Sequence, residues 1–175
     1  MRFVGLAAFV LLAGCASSTP APATAPPPPS IEAPAASPSP GVTVPDTLKF
    51  VATTVDGKAF DASSLVGKPT VFWFWAAWCP KCKGDAAAVR DLQTAVASRV
   101  NVVGVGGLGS GSDGMRMFVG DFKLNRFPQI ADDQGAVWKR FAVPSQHYYV
   151  ILDESGKVVH RGPLTVDQLR QTIGA

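Results

Sequence analysis

Thr70-Val71-Phe72-Trp73-Phe74-Trp75-Ala76-Ala77-Trp78-Cys79-Pro80-Lys81-Cys82 decides how this chain folds. Residues 70–76 form an unbroken apolar and aromatic run, the pattern of a strand buried on both faces. The run gives way to Cys79-Pro80-Lys81-Cys82, where Pro80 suits the first position of a helix, because an N–H there has no helical partner. The two-residue spacer puts both sulfurs in the first helical turn, close enough to bond. The positive end of the helix favours a thiolate at Cys79 and makes it the nucleophile, and Lys81 adds charge of the same sign. Cys82, one turn deeper, is then the resolving thiol that attacks a mixed disulfide.

Two blander readings compete. Half of a zinc site has the same Cys-x-x-Cys spacing, but no second Cys-x-x-Cys or Cys-x-x-His completes four ligands. A purely structural bridge is the other, although closing so short a loop stabilises little.

Outward from this stretch the chain alternates strands and helices. Leu48 to Val55 is rich in Val, Thr and Phe and turns at Asp56-Gly57, so Lys58 to Phe60 can return as a hairpin. Residues 61–66 resemble a capped helical turn. Helices are expected over 85–99, with Val89, Leu92 and Val96 on one face, over 114–123 after a Ser112-Asp113 cap, over 136–141 and over 165–173. Strands are expected over 100–105, near 129–130, over 148–152 and over 157–160. This order implies an α/β fold in which a mixed central β-sheet carries helices on both faces, with an N-terminal β-hairpin extension. Residues 46–175 form the globular domain, and roughly 130 residues bury about two thirds of their unfolded surface without a staple.

The front of the 175-residue chain is different in kind. Arg2 precedes an apolar run that ends at Gly14, too short for the ~20 residues a bilayer crossing needs. A basic start, a short apolar run and small residues at its end describe a signal peptide over 1–14. Leu12-Ala13-Gly14-Cys15 resembles the lipobox of bacterial lipoproteins, which implies that Cys15 is lipidated and that the protein is tethered to the outer face of the cell membrane or to the cell envelope. Ordinary secretion is the simpler alternative. Residues 15–45, with Pro26-Pro27-Pro28-Pro29, favour extended polyproline II and read as a spacer, with a proline-rich docking ligand as the alternative.

The net charge of +3 is mild, and no basic run exceeds Lys139-Arg140. Nucleic-acid binding demands a denser basic stripe, so it is excluded as a function class.

The run from Phe74 to Cys82 resembles the active-site signature of the thioredoxin superfamily. The likeness continues through Val102-Val103-Gly104-Val105, Val137-Trp138-Lys139-Arg140-Phe141-Ala142-Val143 and Leu152-Asp153-Glu154-Ser155-Gly156-Lys157-Val158. Together these are most similar to the exported oxidoreductases of the DsbE/DsbF and TlpA/ResA type, particularly actinobacterial lipoproteins. The resemblance implies a thioredoxin-like fold and disulfide exchange with exported protein thiols or disulfides, sustained by a membrane redox partner and needing no cofactor.

Three positions depart from the family pattern. Cytosolic thioredoxins carry a buried Asp six residues before the first cysteine, where this chain has Trp73. Exported relatives often carry a Glu three residues after the second cysteine, where this chain has Asp85; Cys82 and Asp85 share a helix face, so Asp85 either accepts a proton from Cys82 or is a solvated surface Asp. The family places a cis-proline just before the strand facing the cysteines, and counting back from the Asp153 to Gly156 turn puts His147 there, with Pro144 three residues early. A cis bond before His costs about 3 kcal/mol, so a trans loop of different shape is expected, altering the substrate edge at Gln146. His147 also opens a runner-up function, copper binding or delivery. Cys79, Cys82 and His147 make a soft three-ligand set for Cu(I), or an open zinc site. This is similar to exported copper-delivery proteins of the same fold, whose cysteines are spaced more widely.

Gly104-Val105-Gly106-Gly107-Leu108-Gly109 satisfies G-x-G-x-x-G, but it sits mid-domain without an acidic residue at a second strand end, so it reads as a flexible loop. Met115 and Met117 lie two apart on an expected helix and face different ways, which leaves at least one to the core.

Overall fold

The computed structural model describes residues 43–175. The expected signal peptide, Cys15 and the spacer up to residue 42 lie outside the described residues. No helix among the described residues is long and apolar enough to cross a membrane.

A 3-10 turn at Asp46–Leu48 leads into an antiparallel hairpin, β1 (Val51–Thr53) and β2 (Ala59–Asp61). A second 3-10 turn, Ala62–Leu65, starts where the Asp61 carboxylate accepts the Ser63 N–H at 2.9 Å. The main sheet has the order β5-β4-β3-β6-β7, with β3 (Thr70–Trp75) at its centre. β4 (Asn101–Gly106) runs parallel to β3, and β5 (Gln129–Ala131) parallel to β4. β6 (Tyr148–Leu152) is antiparallel to β3, and β7 (Val158–Gly162) antiparallel to β6. Thr54 bridges to Ile130, so the hairpin covers the β5 edge that would otherwise be unpaired.

Every residue of β3 is buried, and the two faces of the strand build two cores. Val71, Trp73 and Trp75 pack with α1 (Pro80–Val96), α2 (Gly111–Asp121) and α4 (Val166–Thr172). Phe72 and Phe74 pack with the two 3-10 turns, the hairpin and α3 (Ala136–Arg140). This is the expected α/β arrangement, a mixed sheet with helices on both faces.

Long-range hydrogen bonds shift some of the expected boundaries. Residues 48–50 do not join β1, because the Arg140 guanidinium gathers the carbonyls of Asp46, Thr47 and Lys49 and sits 5.2 Å over the Phe50 ring. Helix α2 begins at Gly111 rather than Gly114. The Asp133 carboxylate accepts the N–H groups of Ser110 at 3.0 Å and Gly111 at 2.8 Å, so Ser112 and Asp113 fall inside the first turn instead of capping it. Met115 is buried on α2 and Met117 is exposed, as their spacing implies.

The glycine-rich stretch is not a loose loop. A Cβ on Gly106 would lie 2.7 Å from the Trp75 ring, and one on Gly107 would lie 2.7 Å from Trp138 Nε1. At Gly104 it would collide with Gln129, whose Oε1 accepts the Trp75 indole N–H at 3.1 Å. These glycines exist to let two tryptophans and a buried glutamine close onto the backbone. The segment that follows is held by Ser110, whose Oγ accepts the Ala77 N–H and donates to the Gly107 carbonyl.

Gly106→Ala should therefore cost about 1–3 kcal/mol of overpacking, read as a lower urea midpoint. Gly84→Ala, on the exposed side of α1 with nothing within 4 Å of the added Cβ, should stabilise by roughly 0.5–1 kcal/mol. Equal effects of the two substitutions would show that packing at Gly106 is not what selects glycine.

Candidate active site

Strand β3 delivers the chain to the N-terminus of α1, and the turn between them places the cysteines. Cys79 N–H donates to the Ala76 carbonyl at 3.1 Å, which bends the chain out of the strand. Cys79 is the N-cap of α1, Pro80 occupies the first helical turn, and Cys79 Sγ accepts the Cys82 N–H at 3.0 Å. A sulfur thus fills the place that Ser, Thr, Asp or Asn usually takes at an N-cap. Cys79 and Cys82 are joined by a disulfide, with Cα atoms 5.3 Å apart. The pair is sheltered, with Cys79 2% and Cys82 0% exposed.

Around the pair, Lys81 and Pro80 are exposed and Gln146 is half-buried. Trp78, next to Cys79 in the chain, is 51% exposed, yet its indole N–H donates to the Leu108 carbonyl at 2.8 Å, which fixes the ring. Leu108 is itself exposed and adopts a left-handed φ of 56°.

On the other side, His147 immediately precedes β6 and reaches back to α1. Its Nε2 lies 2.8 Å from Asp85 Oδ2, and the two side chains are 15% and 31% exposed. Asp85 is therefore partly buried and paired with His147. His147 has a φ of 58°, a left-handed conformation that few non-glycine residues adopt. Pro144 stays exposed in the preceding loop.

Among the described residues no group of three or more His, Cys, Asp or Glu side chains is arranged to hold an ion. The two sulfurs are bonded to each other, and His147 Nε2 is engaged by Asp85. A Cu(I) set of Cys79, Cys82 and His147 would require the reduced pair.

In the same core as the cysteines, Trp73 and Tyr149 are direct partners across β3 and β6. Trp73 Nε1 and Tyr149 Oη are buried without a hydrogen-bond partner among the described residues. Burial first, and then the nearby Asp85 charge, push the Tyr149 phenol well above its ordinary value of 10.0. Sequence reasoning missed Tyr149, because an aromatic residue in a buried strand carries no signal beyond packing. It also missed Asp132, whose carboxylate accepts the N–H groups of Ala136, Val137 and Trp138 and so fixes α3. An acidic residue just ahead of a Gly-initiated helix is a readable capping signal. Asp133 has no such signal, since its helix lies earlier in the chain.

A family model described as Redoxin matches residues 32–171. The chain belongs to the Redoxin family. It is 36% identical over 115 residues to the soluble secreted antigen MPT53 of Mycobacterium tuberculosis, a stretch covering 66% of this chain and 65% of that protein. The chain thus spans somewhat less than two thirds of that relative's length. The solved structure of MTB DsbF in mixed oxidized and reduced forms superposes with a TM-score of 0.70 at 41% identity, covering 75% of this chain and 98% of that one. A secreted M. tuberculosis disulfide oxidoreductase homologous to E. coli DsbE superposes with a TM-score of 0.65 at 32% identity, covering 73% and 96%. The fold of this Redoxin-family chain is thioredoxin-like.

The raised Tyr149 phenol has a measurable consequence. Above about pH 10 the unfolded chain loses a proton that the folded chain keeps, so stability falls with rising pH by up to about 1.4 kcal/mol per unit. Urea unfolding from pH 9 to 12 should show a slope shallower by that amount in Tyr149→Phe. Because the substitution removes an unpartnered buried hydroxyl, stability at pH 7 should be unchanged or higher. An unaltered alkaline slope would assign the titration to another group.

Proposed function

We propose that this protein is an extracytoplasmic thiol–disulfide oxidoreductase that exchanges disulfides with exported proteins through Cys79 and Cys82. The observation that carries the reading is the bonded pair at the mouth of α1, with Cys79 Sγ as the N-cap and Cys82 buried behind it. Relatives described as a secreted antigen and a secreted disulfide oxidoreductase support it.

The chemistry follows from which sulfur can be reached and stabilised. In the oxidising direction a substrate thiolate attacks Cys79 Sγ, the Cys79–Cys82 bond breaks, and Cys82 leaves as a thiolate that takes a proton. A second substrate thiolate then displaces Cys79 Sγ. It forms the substrate disulfide, and two electrons remain on the reduced pair. In the reducing direction the Cys79 thiolate attacks a substrate disulfide, and Cys82 loses its proton and resolves the mixed disulfide. The α1 N-terminus favours negative charge on Cys79, which makes it the better leaving group and the entry point in both directions. Asp85 is assigned as proton acceptor and donor for Cys82, because it sits on the same helix face, is fixed in place, and no carboxylate occupies the Trp73 position.

Trp78 and Leu108, both exposed and joined by a hydrogen bond, are assigned to the apolar side of the substrate contact, and Gln146, which precedes His147, to the substrate edge. No cofactor enters the cycle. A membrane redox partner restores the pair after each turnover. Export by the signal peptide and acylation of Cys15 complete the proposal, placing the domain on the outer face of the cell membrane or in the cell envelope. Copper binding through Cys79, Cys82 and His147 is the second reading; it calls for the reduced pair and for His147 to turn from Asp85.

Cys79→Ser should reduce exchange with a model disulfide substrate to background, whereas Cys82→Ser should accumulate a reductant-sensitive mixed disulfide at Cys79, identified by mass spectrometry. Exchange surviving in Cys79→Ser would contradict the assignment. Cys15→Ser should move the protein from the membrane fraction to the soluble one on cell fractionation. Continued sedimentation with membranes would refute the anchor.

A further inference from the structure

Resting on the assignment of Asp85 as the proton acceptor for Cys82, we infer that His147 is a positioning residue for the resolving step: it holds one carboxylate oxygen of Asp85 so that the other serves Cys82.

The two groups meet across 62 positions of sequence, at an Nε2 to Oδ2 distance of 2.8 Å. An Asp on the outer turns of a helix ordinarily swings its carboxylate to water. Here the contact with His147 selects one orientation, half-buried, on the face that also carries Cys82. Cys82 is 0% exposed, so bulk water does not serve as its proton acceptor and a fixed group must.

The backbone of His147 shows that the contact is built in. A non-glycine residue at a φ of 58° is strained and persists only where its surroundings over-determine it. Two surroundings do so. Asp85 takes the ring nitrogen, and the ring stands edge-on to Tyr149 at 6.1 Å. Tyr149 is a neutral phenol over the working pH range, because burial and the Asp85 charge push its ionisation up. The titratable groups facing His147 are thus Asp85 on α1 and Tyr149 on β6. The sulfurs of Cys79 and Cys82 lie on the α1 side, and Lys81 and Lys83 are exposed.

The step balances as follows. Cys82 Sγ–H gives its proton to Asp85 Oδ1 while His147 Nε2–H donates to Oδ2. The Cys82 thiolate attacks Cys79 Sγ in the mixed disulfide, and the Cys79–substrate bond breaks. Two electrons leave with the substrate sulfur as a thiolate, which takes up the proton.

The test uses the full chain, reduced and reacted with oxidised glutathione, with the Cys79–glutathione mixed disulfide trapped by acid and followed by mass spectrometry from pH 5 to 9. His147→Asn keeps a residue that tolerates the left-handed backbone but places its amide near the ring's Nδ1, too short to reach Asp85. His147→Gln carries a donor out to the Nε2 position.

His147→Asn and Asp85→Asn should each slow resolution about tenfold and flatten its pH dependence, within the range of acid–base contributions. The double variant should be no slower than the slower single, because the two residues act as one unit. His147→Gln should recover most of the rate. If Asp85→Asn slows resolution but His147→Asn retains the wild-type rate and pH profile, the positioning role is wrong and the Asp85 assignment stands. Additive losses in the double variant, or no rescue by His147→Gln, would also overturn it. If neither single variant changes the profile, the Asp85 assignment itself fails.

Discussion

Strand β3 has no solvent face, and the placement of everything chemical follows from that. Val71, Trp73 and Trp75 commit one side to α1, α2 and α4, while Phe72 and Phe74 commit the other to α3 and the N-terminal turns. Each fully buried aromatic contributes on the order of 2–3 kcal/mol, so the register of the strand is not free to slip. A fixed strand end fixes the turn at Ala76 to Trp78 and, through it, the point where α1 begins. The neighbouring strand and the residue after it yield to this packing by supplying Gly106 where Trp75 presses and Gly107 where Trp138 does. A sequence pattern that mimics a phosphate loop is here the imprint of bulky neighbours.

The cysteine pair gains its character from position. At an N-cap, a side-chain acceptor satisfies an orphan N–H, and Cys79 does this with sulfur for the N–H of its own partner cysteine. The same helix end that needs an acceptor stabilises a thiolate, so the structural demand of the cap and the chemical demand of exchange point to one residue. Cys82 carries the opposite demand. It is buried, in the proposed cycle it must shed and regain a proton, and the position six residues before Cys79 holds Trp73 rather than a carboxylate. In the proposed cycle the acidic group is Asp85, one turn further along α1, which meets His147 at 2.8 Å.

Much of this was legible in the sequence because it depends on local pattern. The continuous apolar run of β3, the proline after Cys79, the spacing of Val89, Leu92 and Val96, and the Asp153 to Gly156 turn each report a short-range rule. Counting back from that turn placed His147 next to β6, where it lies. What escaped depends on distant partners. The start of α2 is set by Asp133, the 3-10 turn before β1 by Arg140, and the order of the glycine segment by Trp75 and Trp138. The state of Asp85 could be posed as a choice between acceptor and surface residue, but only the fold brings His147 to it.

The central claim is that one sulfur is the reactive end of the pair and the other is held in reserve behind it. Competitive labelling of the reduced, folded full-length protein with less than one equivalent of iodoacetamide near pH 7, followed by peptide mapping, tests it directly. The account predicts alkylation at Cys79 with Cys82 unmodified until the protein is denatured. Modification of Cys82 first, or of both cysteines equally, would contradict it.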